Sequence, residues 1–317
     1  MIQAGESGAD GMGVLSSAIG SLESVRDGHE TASAGKTKHV KELLPAVLDD
    51  IQARIDGESR EWIPTPWRWV NITRGGAAII AARPGKGKSA FLENLAKHMA
   101  VAHNEPTCMV SLEMSDKMLA ERALSGESGV QTMSATVITK GEMEALRAAG
   151  KRLCDAPFYI ADMPGATADE VIVEMRRIHR KHGVHTFCID YIQDIGSANN
   201  DEAKNPKLRI DNALTKFDVF RKRLAKSCGA PITHVFAAQS DREADKLTAR
   251  EMRMSLLSGS SQLEKIAFHV MFLGPCEKTV PTDDVLVMEA NVVKNRMGNT
   301  GYFELAFHKK ITKWTDV

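Results

Sequence analysis

The stretch Ala77-Ala-Ile-Ile-Ala-Ala-Arg-Pro-Gly-Lys-Gly-Lys-Ser89 limits what this chain can become more than any other. Its apolar start predicts a buried strand, and Gly85 and Gly87 let the backbone curl so that successive N–H groups face one anion. Leu92, Leu95, Ala96, Met99 and Ala100 then recur at helical spacing, which supplies a helix whose positive end adds to the attraction. Lys88 would reach the β- and γ-phosphate oxygens, and the Ser89 hydroxyl would ligate a bridging Mg²⁺. The pattern predicts hydrolysis of a nucleoside triphosphate, with contacts along Arg83, Pro84, Gly85, Lys86, Gly87, Lys88, Ser89 and Ala90. Ala82 stands where the strict pattern has glycine, which costs backbone freedom without removing an N–H donor. A second Gly-Lys-Thr, Gly35-Lys36-Thr37, follows a polar stretch where a buried strand should be, and reads as coincidence.

Beyond the loop, apolar runs alternate with helical patterns. Ala77 to Ala82, Thr107 to Leu112, Phe158 to Ala161, His185 to Asp190, Thr233 to Ala238 and Phe268 to Leu273 read as strands, with crossover-length stretches between most of them. That rhythm predicts an α/β fold, a mostly parallel twisted sheet with helices on both faces. Val285 to Lys294 and Gly301 to Phe307, around Asn295-Arg-Met-Gly-Asn-Thr300, predict an antiparallel hairpin added at one edge. Upstream, residues 1–37 are rich in Gly, Ser and Ala and predict a mobile tail. Val40, Leu43, Leu44, Val47, Leu48, Ile51 and Ile55 predict an amphipathic helix within 38–60, free to dock on a neighbouring subunit. The prolines of Trp62-Ile-Pro-Thr-Pro-Trp-Arg-Trp69 separate it from the main domain, 61–317, and the tryptophans there read as packing residues.

The 41 basic and 41 acidic residues balance, so any surface for nucleic acid must be local. Cys108, Cys154, Cys188, Cys228 and Cys276 lie far apart with no Cys-x-x-Cys and no Cys/His cluster, so neither zinc nor a disulfide framework is implied. Cys108, Cys188 and Cys276 sit in or beside apolar runs and are expected to be buried. No stretch has the length of a membrane span or the order of a signal peptide, and a reducing cytoplasmic setting is expected.

Ligands of a parallel sheet gather at the carboxyl ends of its strands. Three polar residues end apolar runs there: Glu113 closes Met109-Val-Ser-Leu112, Asp190 closes Thr186-Phe-Cys-Ile189 and Gln239 closes Val235-Phe-Ala-Ala238. An aspartate so placed suits a magnesium ligand, a glutamate can orient and deprotonate water, and a glutamine can sense the γ-phosphate without taking the proton. Two loops carry basic residues suited to phosphate. After Gln239 come Arg242, Lys246, Arg250 and Arg253, then Ser258-Gly259-Ser260-Ser261, whose small residues let the backbone approach phosphate. After Asp190, Lys204, Lys207 and Arg209 form a second basic cluster, whereas Lys216, Arg221, Lys222, Arg223 and Lys226 read as an exposed helix face.

Five segments together resemble the DnaB-like replicative DNA helicases, whose ATPase has the RecA-like fold: Ala81-Ala-Arg-Pro-Gly-Lys-Gly-Lys-Ser89, Ser111-Leu-Glu-Met-Ser115, Ile189-Asp-Tyr-Ile-Gln193, Ala238-Gln-Ser-Asp-Arg242 and Val293-Lys-Asn-Arg-Met-Gly-Asn-Thr-Gly301. The second and the last are the specific ones. The resemblance spans about residues 40–317 and accepts alanine at position 82. It implies ATP and Mg²⁺ as ligands, Lys88 and Ser89 on phosphate and metal, Glu113 as catalytic base, Asp190 on the metal and Gln239 as sensor. Lys294 and Arg296 then match a lysine and arginine finger that reach the triphosphate of the adjacent subunit, and Arg122 matches a further family position. It also implies a homo-oligomeric ring, a homohexamer, that moves on single-stranded DNA and works with a helicase loader or primase in a bacterial or phage-infected cytoplasm. The resemblance makes the two basic loops candidates for DNA, and Leu256-Leu-Ser-Gly-Ser-Ser261 departs from the family's Asp-Leu-Arg-Glu-Ser-Gly turn, which shifts the expected DNA contact there toward backbone. Only a tail and one helix precede the ATPase region, as expected of a phage- or plasmid-type member without the usual N-terminal domain. A RecA-like recombinase or mediator and a nucleotide-binding ring component that does not unwind remain open alternatives.

Overall fold

Seven apolar residues spaced three and four apart wind into helix α1, Val40–Ile55, and all seven side chains are exposed. The computed structural model describes residues 37, 39–56, 61–133, 135, 137–257, 261–276 and 284–317, in two units, one within 1–59 and one from 60 onward. The tail, apart from Thr37, and Gly35 and Lys36 of the second Gly-Lys-Thr lie outside the described residues. Among the described residues no helix is long and apolar enough to cross a membrane.

The second unit opens with a small antiparallel pair, β1 (Trp62–Ile63) and β2 (Ile72–Thr73). Five strands β3 (Ala77–Ala82), β4 (Thr107–Ser111), β5 (Phe158–Asp162), β6 (Thr186–Asp190) and β7 (Thr233–Gln239) are joined by β8 (His269–Pro275) in one parallel arrangement. The hairpin β9 (Val285–Asn295) and β10 (Gly301–His308) adds antiparallel at the β8 edge, and a further strand, β11 (Lys313–Asp316), pairs with β10 beyond it. The order across the nine-stranded sheet is β11-β10-β9-β8-β3-β7-β6-β4-β5.

Helices cover both faces. On one side of β3, Ala77, Ile79 and Ala81 join a core shared with α5 (Ala168–His182), α7 (Pro206–Cys228) and α8 (Ser261–Ile266). On the other, Ala78, Ile80 and Ala82 join a core with α2 (Lys88–His103) and α3 (Asp116–Ser128). A strand buried on both faces reads as an unbroken apolar run, which is what Ala77 to Ala82 presents. Helix α4 (Lys140–Asp155) packs on α3, and the short α6 (Asn200–Lys204) precedes α7. Ser115, Thr139 and Thr167 cap the starts of α3, α4 and α5 with side-chain oxygens, and α2, α3, α5 and α7 end on left-handed Asn104, Gly129, Gly183 and Gly229.

Trp67, read from sequence as a packing residue, is buried and stacks on Phe91 of α2 at 3.9 Å between ring centroids, while Trp69 is exposed. Arg221, read as part of an exposed helix face, is instead buried. It pairs with Asp218 at 2.8 Å and donates to the Gly75 carbonyl, because this side of α7 packs against the turn that leads into β3.

Candidate active site

The loop after β3 takes the curl that its glycines allow: Gly85 has φ 73° and Gly87 φ 79°, both left-handed. A side-chain carbon on Gly87 would lie 2.8 Å from the Trp314 ring and 3.1 Å from Phe307, so the turn is closed sterically as well. Helix α2 starts at Lys88, directing its unpaired first-turn N–H groups into the loop. Above it opens a cavity of about 280 Å³, lined by Pro84, Gly85, Gly87, Lys88, Ser89 and Ala90 from the loop and helix. Glu113, Met114, Arg122 and Gln239 form its far wall, and Phe307 and Thr312 close the remaining side. Phe307 belongs to an alternating Phe303, Leu305, Phe307 pattern on β10 that was visible in sequence, but its place at the loop was not.

The carboxyl ends of β4, β6 and β7 lie side by side, and backbone ties hold them. Leu112 N–H donates to the Asp190 carbonyl at 2.7 Å, and Met114 N–H to the Ser111 hydroxyl at 2.9 Å, which fixes the turn that presents Glu113. Gln193 grips the Gln239 backbone in both directions, accepting at 3.1 Å and donating at 3.2 Å, so the Gln239 side chain is left to face the cavity. Sequence reasoning gave Gln193 no role, since the pairing spans 46 residues.

Asp190 is wholly buried, and neither carboxylate oxygen has a hydrogen-bond partner. Burial pushes its carboxyl above the usual range; the adjoining Ser89 hydroxyl, short of full hydrogen-bond geometry, and the Lys88 and Arg122 charges act the other way. A buried, unpartnered carboxylate beside a hydroxyl is the hard oxygen set a magnesium ion takes. Because the folded chain holds this proton more tightly than the unfolded one, its contribution to stability is greatest at low pH and falls as pH rises through the folded pKa. Asp190→Asn should therefore raise the stability of the nucleotide-free protein near neutral pH by about 1–3 kcal/mol, flatten that pH dependence, and abolish Mg²⁺-dependent hydrolysis; thermal melts from acid to neutral pH beside phosphate-release assays check it. A variant that melts lower would contradict the assignment.

Other expected contacts are placed elsewhere. Arg83 turns away from the cavity to form a two-pronged pair with Asp245, at 2.7 and 2.9 Å, and to donate to the Ser240 carbonyl, while Lys86 lines a separate crevice beside it. Lys294 donates to the Glu264 carbonyl at 2.6 Å and Arg296 to that of Lys265 at 3.1 Å, both at the end of α8. The Arg296 backbone bonds Phe268, which bonds Ala77, so it sits level with the start of β3. Five residues of strand, roughly 17 Å, separate that level from Ala82 and the loop. Arg250 is engaged by Glu289 at 2.6 Å and lies over the Tyr302 ring at 3.8 Å. Arg242, Lys246 and Arg253 lie on the loop after β7 and Lys204 and Lys207 after β6, where Arg209 is drawn in to the Gln193 carbonyl. Of these, Arg242, Lys246, Arg253, Lys204 and Lys207 are exposed. Ser258, Gly259 and Ser260 lie outside the described residues, and Ser261 begins α8.

The family described as DnaB-like helicase C terminal domain matches residues 72–316, which is most of the chain and all of the nine-stranded sheet. This chain belongs to that family. Among its relatives are the replicative DNA helicase DnaB of Geobacillus stearothermophilus, 28% identical over 296 residues, and a probable plasmid replicative DNA helicase of Chlamydia psittaci, 24% identical over 317. The first match covers 90% of this chain, which spans 63% of that relative's length; the second covers 92%, and the chain spans 68% of it. Two solved structures share the fold. One is an ATPase domain, with TM-score 0.73 at 22% identity over 89% of this chain and all of that one. The other is a DnaB-like replicative helicase studied for its interactions with primase, also at 0.73, with 21% identity over 93% of this chain and 72% of that one. The mostly parallel sheet with its C-terminal antiparallel strands is thus the RecA-like ATPase fold of DnaB-like helicases.

In this DnaB-like domain the last strand braces the phosphate loop. Trp314 Nε1 donates to the Gly87 carbonyl at 3.1 Å, its backbone N–H donates to Asn94 of α2 at 2.9 Å, and its ring stacks on Phe307 at 4.8 Å between centroids. Asn94 in turn donates to the Thr312 carbonyl at 2.9 Å, so loop, helix and C-terminal strands form one closed unit. Trp314→Ala should cost about 3–5 kcal/mol and weaken nucleotide binding beyond the loss of folded protein. Denaturant unfolding together with nucleotide titration of the folded fraction measures both. The larger groove, about 710 Å³ between α5 and α7, contains none of the strand-end residues.

Proposed function

We propose that this DnaB-like domain hydrolyses ATP between neighbouring copies in a ring, and that hydrolysis drives movement on single-stranded DNA and unwinding of duplex. One observation carries the reading: Lys88, Ser89, Glu113 and Gln239 meet on one cavity with Asp190 beside it, while Lys294 and Arg296 lie at the opposite end of the sheet. A chain cannot bring its own fingers to its own loop across that distance, but a head-to-tail neighbour can.

The loop N–H groups and Lys88 would bind the triphosphate, with Phe307 offering a ring face beside it. Ser89 and Asp190 would hold Mg²⁺, which when bound neutralises charge on the β- and γ-phosphate oxygens. Glu113, exposed at the cavity wall, would orient a water and take its proton as the oxygen bonds to the γ-phosphorus and the bond to the ADP oxygen breaks. Gln239 would hold the γ-phosphate oxygens through its amide, and Arg122 would add charge from the side.

Arg242, Lys246 and Arg253, on the segment after β7, and Lys204 and Lys207, at the end of α6 and the start of α7, would line the DNA path through phosphate contacts, together with the backbone around Gly259 and Ser260. The apolar stripe of α1 is a surface that needs a partner, and in a homohexamer the next copy would supply it, with 38–60 serving as linker and 61–317 as the ATPase domain. The names of the relatives, and the primase interactions for which one structural neighbour was studied, add weight to replication and to a primase or loader partner. Strand separation of a forked DNA with Mg²⁺ and ATP tests the proposal. It should proceed with rings on the DNA, and filaments that pair strands without unwinding would overturn it.

A further inference from the structure

No Cys/His cluster is visible in the spacing of the chain, yet folding builds one at the end of the sheet far from the nucleotide cavity. His179 in the last turn of α5, His185 just before β6 and Cys228 at the end of α7 each place one ligand-capable atom within 4.8 Å of the other two. The two imidazoles face each other at 5.2 Å between centroids, tilted by 33°.

One imidazole is oriented as a metal-bound ring would be. His179 Nδ1 lies 2.9 Å from the Val184 carbonyl, which can only accept, so in the neutral ring Nδ1 carries the hydrogen and Nε2 presents its lone pair. A carbonyl fixing the far nitrogen in this way is the usual support of a metal-bound histidine. Cys228 is exposed, and its thiol donates weak bonds to the Ala225 and Ala230 carbonyls, at 3.9 and 3.5 Å, which a metal-bound thiolate would give up. Two helices of 15 and 23 residues end beside the cluster, and their carbonyl ends favour a cation.

We propose that His179, His185 and Cys228 form a site for Zn²⁺, with a fourth position open to solvent. Two imidazole nitrogens and a thiolate are the borderline-soft set that zinc takes and magnesium declines, so the site would not compete with the nucleotide's ion. Tetrahedral bonding would bring the ligand atoms to about 3.3–3.8 Å apart, a closure within reach of a cysteine at a helix end. Metal would then pin the ends of α5 and α7 to the start of β6, the strand that carries Asp190 at its other end.

Cobalt(II) titration of the full chain tests this. One equivalent should give a thiolate-to-cobalt charge-transfer band with the visible bands of four-coordinate cobalt, all removed by Zn²⁺, and Zn²⁺ should raise the melting temperature. Cys228→Ser should abolish the charge-transfer band, and His179→Ala should weaken binding about 100-fold or more, while Cys154→Ser, at the other exposed thiol, should leave both unchanged. Because Cys228 is exposed, its substitution tests the ligand without disturbing the core. No charge-transfer band in the wild-type chain, or a band that persists in Cys228→Ser, would overturn the proposal.

Discussion

Glu113→Gln should leave nucleotide binding intact and lower ATP hydrolysis about 10²–10⁴-fold, with unwinding lost alongside it. The effect follows from where the residue sits. Its turn is held by the Ser111 hydroxyl and by the Asp190 carbonyl at the next strand, so the carboxylate is aimed into the cavity by neighbours that the substitution does not touch. Affinity for the triphosphate comes from the loop N–H groups, Lys88 and the helix end, all unchanged. An amide keeps the size of the side chain but does not accept the proton that water must lose. Equilibrium binding of a nucleotide analogue and single-turnover phosphate release separate the two effects. Full hydrolysis in the variant would move the base elsewhere; loss of binding would show that Glu113 shapes the cavity instead.

Arg296→Ala should bring a comparable or larger loss, about 10³-fold or more in assembled rings, with binding to the residue's own loop preserved. Lys294→Ala should cost less, since a point charge lacks the fork that spans two phosphoryl oxygens, and Arg296→Lys should not rescue. In the single chain both side chains rest on carbonyls at the end of α8, and Arg296 lies 4.7 Å from the Phe268 ring centre. Reaching a neighbour means leaving those acceptors, a small cost for exposed Arg296 and a larger one for half-buried Lys294. Folding stability should accordingly shift by no more than about 1 kcal/mol. Phosphate release in rings, set beside a thermal melt, distinguishes loss of a finger from loss of fold.

The parts of this domain that could be read from sequence are those built from local pattern. The run Ala77 to Ala82, the two loop glycines and the apolar spacing of α2 lie within a few dozen residues, and each follows from strand burial, backbone freedom or helical period. The strand-end positions of Glu113, Asp190 and Gln239 were legible for the same reason, and the hairpin was legible from two alternating runs around a turn. What escaped depends on partners far along the chain. Arg83 looked like a phosphate contact until Asp245 took it, 162 residues later. Arg221 looked solvent-facing, but packing of α7 on the turn before β3 buries it, and Arg250 looked like a free phosphate contact until Glu289 of β9 engaged it. Strand β11 is four residues long, too short to show a period, and the bracing of Gly87 by Trp314 spans 227 residues.

The central claim, an active site completed by a neighbouring chain, is tested most directly by mixing two inactive variants. Lys88→Ala lacks the loop cation but keeps its finger, and Arg296→Ala keeps its loop but lacks the finger. Rings formed from an equal mixture should place an intact loop against an intact finger at about one interface in four, and ATP hydrolysis should rise well above that of either variant alone. Hydrolysis that stays at the sum of the two, in rings shown to contain both chains, would contradict the shared site.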